Sequence, residues 1–231
     1  MANGHTLIIK PEDYSKVSDD WEHIDTIILS NLIAVDLGLP SGTLWADRNV
    51  DATAPEEDGS YFSWGNITGH KSTNGSTFDD SYDWGSKNNG PYASTPGASI
   101  QFTSQHKNAD YATNSGYDAA HENLGGSWRM PTENEFQELY NNTDNEWTSI
   151  NGVYGRKFMK KSDHSVYVFF PAAGRGYRTS LDSRGFDGSY WSSSLYSADR
   201  GYNFYFDSSN VTPQNYNYRY YGCSVRAVQS A

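Results

Sequence analysis

The sequence holds one cysteine, Cys223, among 231 residues. No disulfide can form within the chain, and no cysteine-based metal cluster is available. No apolar run approaches the ~18 residues of a membrane-crossing helix. The opening MANGHTLIIKPEDY lacks the basic stretch and the longer apolar stretch of a secretory leader. Cations are scarce, with 17 Lys and Arg against 28 Asp and Glu and a net charge of −11. A nucleic-acid binder needs a basic face for the phosphates, and an anionic membrane repels such a chain. Neither is expected as a partner. The words of catalysis are missing too. His121-Glu122 is followed by Asn123-Leu124-Gly125, so the second histidine of HExxH is absent. There is no GxSxG elbow and no glycine-rich phosphate loop. Adjacent acids such as Glu56-Glu57 and Asp79-Asp80 lie in loop-like sequence and would point apart in a strand, unlike the facing carboxylates of a glycosidase. No enzyme activity, catalytic residue, cofactor or metal is expected.

Aromatic residues are plentiful, with 18 Tyr and 7 Trp, while apolar residues overall reach only 36%. Burial must therefore lean on rings, each removing roughly 150–250 Å² from water. Glycine is frequent, which suits turns and short strands. Residues 1–33 read as an N-terminal segment with two apolar runs, Leu7-Ile8-Ile9 and Ile27-Ile28-Leu29. It is an arm through which an oligomer or a virion could assemble, or an edge strand packed on the main domain. From Ala34 the texture changes. AVDLGLPSGTLWADRNV reads as strand, turn, strand, and YFSWG as a short strand. Residues 66–110 read as long loops. YDAAHENL, ended by Gly125-Gly126, has helical spacing. Thr132 and Glu135 form a capping box for a helix over 132–141, with Phe136, Leu139 and Tyr140 on one face. YGRKFMKK and SVYVFFPAAG read as a hairpin, and GSYWSSS, YNFYFDSS and GCSVRAV as further strands. The pattern predicts an α+β domain of short, mostly antiparallel strands, about two helices and long loops.

The ordered words VDLGLPSGTLWADRNV, YFSWG, GGSWRMPTENEFQEL, NGVYGRKF, FFPAAGR, GSYWSSS and GCSVRAV resemble a bacterial family. It is the C-type-lectin-fold family called the Fibrobacter succinogenes major paralogous domain, common in gut Bacteroidetes and related to the formylglycine-generating-enzyme fold. The resemblance runs from about Ala34 to Val228 and implies a C-type lectin fold over residues 34–231. Asp51 departs from it, since the family often has glycine after NV. The paired cysteines of the formylglycine-generating enzymes are absent, as are the EPN, QPD and WND words of lectin calcium sites.

The tail has a second resemblance, to the variable region of a diversity-generating retroelement protein. In such systems template adenines are mutated, so that Asn codons become Tyr, Ser, Asp, Arg, Thr, Phe or Gly codons but never those of Lys, Glu, Gln, Met or Trp. Here no Lys, Glu or Met follows Lys161, and the stretch NYNYRYYG, 215–222, alternates Asn with Tyr. Asn203, Asn210, Asn215 and Asn217 look like unmutated template positions. Tyr196, Ser197, Asp199, Arg200, Tyr205, Asp207, Thr212, Tyr216, Tyr218, Tyr220 and Tyr221 look like diversified ones, within a variable region of about 190–222. The resemblance implies a non-enzymatic binding protein displaying a hypervariable surface to a protein or glycan ligand on a cell surface. Its expected setting is a phage virion, as a receptor-binding component, or the bacterial cell surface. Tyrosine suits that use because it offers a large rigid area with few torsions to freeze. Diversified rings should be exposed, so Tyr216, Tyr218, Tyr220 and Tyr221 are expected to cluster with Tyr196, Arg200 and Tyr205 on one face. The alternative is a fixed-site, lectin-like glycan-binding module of a gut bacterium built around Trp64, Trp84 and the loop 66–110.

Overall fold

A computed structural model describes residues 32–85, 117–197 and 199–231. Backbone contacts divide the chain into Met1–Leu32 and Ile33–Ala231. The expectations for residues 1–31, and for the loop beyond residue 85, lie outside the described residues.

In the larger unit, β1 (Ala34–Val35) and β2 (Leu44–Asn49) pair antiparallel across the expected PSG turn, where Gly42 N donates to Leu39 O at 2.9 Å. Strand β13 (Arg226–Gln229) pairs with the other side of β2. The expected hairpin forms from β5 (Val153–Lys160) and β6 (Asp163–Pro171). A small hairpin joins β7 (Arg175–Tyr177) to β8 (Ser180–Asp182). The largest sheet runs β11 (Val211–Tyr218), β10 (Arg200–Asp207), β9 (Asp187–Ser197), β12 (Cys223–Ser224) and β3 (Tyr61–Phe62). Pro213, which has no N–H to give a ladder, lies in the edge strand β11, where proline is tolerated.

Both expected helices form, and both are short. Helix α1 (Ala119–Leu124) is capped by Asp118 and stopped by Gly125 at φ 68°. Helix α2 (Glu133–Asn142) opens on the Thr132–Glu135 capping box. The α+β class and the C-type lectin fold are overturned by what surrounds them. The described residues are 47% strand against 10% helix, in several small sheets, which makes this a β-rich fold. Part of the surplus is β4 (Thr143–Ile150), which follows α2 directly and pairs with β5 over its whole length. Its sequence, TDNEWTSI, is too polar to read as a strand. It forms because β5 supplies the ladder on one side and the edge position leaves its acids in water. Among the described residues, no helix is long and apolar enough to cross a membrane.

Helix α2 turns Phe136 and Leu139 into the core, while Tyr140, expected beside them, stays 38% exposed. Phe136 stacks on Phe204 of β10 with centroids 4.7 Å apart. Trp191, Phe204, Phe206, Val225 and Val228, the apolar residues of the words around the variable stretch, are all fully buried. Arg226 is buried among them. Its Nε donates to Asn49 Oδ1 at 2.9 Å, Nη1 to Ala46 O at 3.1 Å and Nη2 to Phe169 O at 2.7 Å, tying β13 to β2 and β6. Burial pulls its pKa down to about 10, so it remains a cation at neutral pH. Asp118, also buried, accepts from His121 N at 2.9 Å and from Met130 N at 3.0 Å. Burial nonetheless pushes its carboxyl up to about 6.

Candidate binding surface

Strand β10 decides where the candidate residues point. Its register steps from Asn203↔Asn215 to Tyr205↔Thr212, which places the extra residue on β11. The steps from Ser197↔Arg200 to Leu195↔Gly201 and Trp191↔Asn203 place further extra residues on β9. β10 itself alternates without interruption. Arg200, Tyr202, Phe204 and Phe206 therefore share one face, and Gly201, Asn203, Tyr205 and Asp207 the other. On the first face the two phenylalanines enter the core and the first two residues run out beyond it.

There the rings form a continuous ribbon. Tyr196 stacks on Tyr216 at 4.1 Å and meets Tyr202 edge-on at 5.1 Å. The Arg200 guanidinium lies 5.1 Å from the Tyr216 ring centre and 4.6 Å from that of Tyr218, and Nη2 donates to Tyr218 Oη at 3.1 Å. Tyr218 stacks on Tyr220 at 5.4 Å, Tyr220 meets Tyr221 at 4.8 Å, and Tyr221 meets Tyr177 edge-on at 5.3 Å. Arg175 lies 5.2 Å from the Tyr221 ring centre, and Arg178 lies 5.4 Å from that of Tyr177.

Tyr196 and Tyr216 are the open end, 43% and 42% exposed, while Tyr218 and Tyr221 are half-buried. Tyr220 departs from its expectation, being only 4% exposed. β11 ends at Tyr218, and a turn with Tyr221 N donating to Tyr218 O at 3.0 Å tucks the Tyr220 ring between its neighbours. Burial also raises its phenol pKa. Ser197 Oγ donates to Asp199 Oδ1 at 2.7 Å in the connection that leads into Arg200.

Tyr205 departs in a different way. It lies five positions from Arg200 and three from Tyr202 along β10, both odd steps, so it faces the opposite side of the sheet. It pairs there with Thr212, and its hydroxyl lies 3.4 Å from Asp207 Oδ2. Asp207 accepts from Ser209 N and Asn210 N, both at 2.7 Å, and these bonds hold its carboxyl below the usual range. The eleven candidates thus divide. Tyr196, Ser197, Asp199, Arg200, Tyr216, Tyr218, Tyr220 and Tyr221 belong to the ribbon or its edge, and Tyr205, Asp207 and Thr212 to a second group.

Tyr202, Tyr177, Arg175 and Arg178 belong to the ribbon without having been singled out from sequence. The parity of Tyr202 with Phe204 and Phe206 reads as core, and only the pairing Tyr202↔Tyr216 carries it to the ribbon. GRGY, 174–177, reads as a turn, whereas Arg175 and Tyr177 lie in strand β7 of the small hairpin.

Two tryptophans support this surface from beneath. Trp64 and Trp84 are both 0% exposed, so neither offers a face to a sugar, and the fixed glycan site expected around them loses its platforms. Trp64 Nε1 donates to Ser192 O at 2.7 Å. Its ring lies so close to β10 that a Cβ at Gly201 would come within 2.5 Å of it. Trp84 lies under the turn, where a Cβ at Gly222 would meet its ring at 2.4 Å.

The loop acids are mostly engaged. Glu56 Oε1 accepts from Asn151, Glu57 from Thr53, Asp79 from Thr73 and Asp80 from His70. Glu56 and Glu57 line a cavity of about 370 Å³ together with Asp51, Asp58, Lys71 and Arg184. Burial raises the Asp58 carboxyl, opposed by its ion pair with Arg184.

Residues 138–228, from the middle of α2 to β13 and including the whole ribbon, match a family described as Domain of unknown function (DUF8237). No curated protein and no solved structure matches the chain.

Proposed function

We propose that this chain is a non-enzymatic ligand-binding protein whose contact surface is the tyrosine–arginine ribbon. On this reading the ribbon is the variable surface of a diversity-generating retroelement protein, displayed on a phage virion or at a bacterial cell surface. The observation that carries the proposal is the division of labour around β9, β10 and β11. Rings at Tyr196 and Tyr216 stand open beside a framework of Trp64, Trp191, Phe204 and Phe206 that is fully buried. A surface that changes its side chains needs such a framework, because exposed substitutions usually shift stability by less than ~0.5 kcal/mol, whereas core aromatic truncations cost ~3–5 kcal/mol. Tyr220, turned inward, supports the ribbon rather than contacting a ligand.

Sequencing the genomic neighbourhood tests the retroelement part. The expected result is a near-identical template repeat of the region about 190–222, with Asn codons where Tyr196, Tyr216 and Tyr218 stand, beside a reverse-transcriptase gene. A locus with neither would leave a binding surface of fixed sequence and remove the hypervariable reading.

A further inference from the structure

The ribbon is cationic on a chain that is not. The protein as a whole carries −11, yet Arg175, Arg178 and Arg200 each lie against a ribbon ring. Arg200 is the most pre-arranged of the three. Its guanidinium is held by two rings, Tyr216 and Tyr218, and by one hydrogen bond to Tyr218 Oη. Among the described residues no carboxylate lies within ion-pairing distance of it; the neighbouring Asp199 carboxylate, which accepts from Ser197 Oγ, favours its charge from farther away. A guanidinium has five N–H donors in a planar fork that matches a carboxylate in two parallel bonds. Holding the fork between rings removes much of the entropy loss that a free arginine side chain would suffer on binding.

We infer that the Arg200 fork is a carboxylate-recognition point, and that the partner it fits is an acidic segment of a protein. The inference rests on the ribbon being the contact surface and adds to it the chemistry of what is contacted. A protein segment fits better than a sugar acid because the rings form an extended ribbon of tyrosine and arginine, the composition of surfaces that grip protein epitopes. An Asp or Glu in the partner would take the fork while its neighbours lie along Tyr196, Tyr202 and Tyr216. Arg178 extends the same preference toward the Tyr177 end, whereas Arg175 is offset in part by the nearby Asp187 carboxylate.

A random dodecapeptide phage library panned on the purified chain tests this. Selected peptides are expected to be enriched in Asp and Glu, and their affinity to fall as salt rises. Arg200→Gln should weaken the selected peptides at least tenfold. Arg200→Lys, which keeps the charge but not the fork, should recover only part of that loss. Peptides without acidic enrichment whose binding still requires Tyr216 would overturn the inference and leave the ribbon as the contact surface. Acidic peptides unaffected by Arg200→Gln would also overturn it. Peptides that bind equally well after Tyr216→Ser and Tyr218→Ser would remove the ribbon reading itself. Saturable binding of polygalacturonate with no acidic peptide selected would give the fork to a glycan and overturn the protein partner.

Discussion

Arg226 and Arg200 each lie 4.6 Å from the centre of an aromatic ring, that of Phe170 in one case and of Tyr218 in the other. Their surroundings differ in every other respect. Arg226 is fully buried, and each of its three nitrogens donates to an oxygen fixed by a strand or by Asn49. Arg200 is half-buried, and the acceptor it meets is a tyrosine hydroxyl on the surface. The same side chain thus serves two ends. In the first region two of its donors are matched to backbone carbonyls, which cannot be removed by substitution, and the third to the Asn49 side chain. In the second its donors face the side chains of Tyr216 and Tyr218 rather than backbone, and on the proposed reading the fork is left for a partner.

The strongest way to break this comparison is to truncate the buried member. Arg226→Ala would leave Asn49 Oδ1 and two buried carbonyls without their donor and open a cavity among β2, β6 and β13. A loss of ~3–5 kcal/mol is expected, read by urea unfolding. A loss under ~1 kcal/mol would mean that water replaces the guanidinium and that the framework is not built around it. Tyr220→Ser comes next, at ~2–4 kcal/mol, because its ring is buried between Tyr218 and Tyr221. Near-neutral behaviour at Tyr220 would return it to the set of exchangeable residues.

The contrast was legible in the sequence only where side-chain spacing decides it. The capping box at Thr132 and Glu135, the hairpin of β5 and β6 and the burial of Phe204 and Phe206 follow from patterns within a dozen residues. The proportion of strand did not, because β4 is a polar edge strand that exists through its partner. The ribbon was half legible. Its tyrosines were visible as a composition, but their division between two faces depends on the extra residues in β9 and β11, which appear only in the pairing. Nothing local marks Tyr220 as buried, since the turn after Tyr218 sets its direction. Trp64 and Trp84 read as ligand platforms because close approach to Gly201 and Gly222, distant in sequence, cannot be read from a single chain.

Acid sharpens the comparison further, because the framework holds a carboxyl whose ionisation is opposed by burial. Asp118 has its pKa pushed up to about 6, against a usual value of 3.8. At pH 7 it is ionised in both the folded and unfolded states. As the pH falls through about 6 the folded protein takes up a proton that the unfolded chain does not bind until about 3.8. The stability that Asp118 contributes therefore rises across that window and is lost again as the pH rises through 6. Glu135 and Asp207 have lowered values and act in the opposite direction, so the total must be corrected for them. The measurement is the difference in unfolding free energy between the wild type and Asp118→Asn, followed from pH 7 to pH 4. It should shift in favour of the wild type by up to ~3 kcal/mol. A flat difference would show that the bonds from His121 N and Met130 N hold Asp118 as an ordinary carboxylate.

The smallest effect on stability separates the two faces of β10. Tyr216→Ser removes a ring that is 42% exposed and stacked on Tyr196, and a loss of ~0.5–1 kcal/mol is expected from the stacked pair. Tyr205→Ser removes a half-buried ring whose hydroxyl reaches Asp207 on the opposite face, and a loss of ~1 kcal/mol or less is expected. On stability the two variants should be close to indistinguishable. On binding they should not. A peptide selected on the ribbon should lose at least tenfold in affinity with Tyr216→Ser and less than twofold with Tyr205→Ser, measured by titration at one salt concentration. The reason is geometric, since a rigid peptide on one face of a sheet cannot touch a side chain that points away from the other. Equal losses at both positions would require a partner that wraps the edge strand β11, and the contact surface would then be the strand edge with its two flanks rather than the ribbon alone.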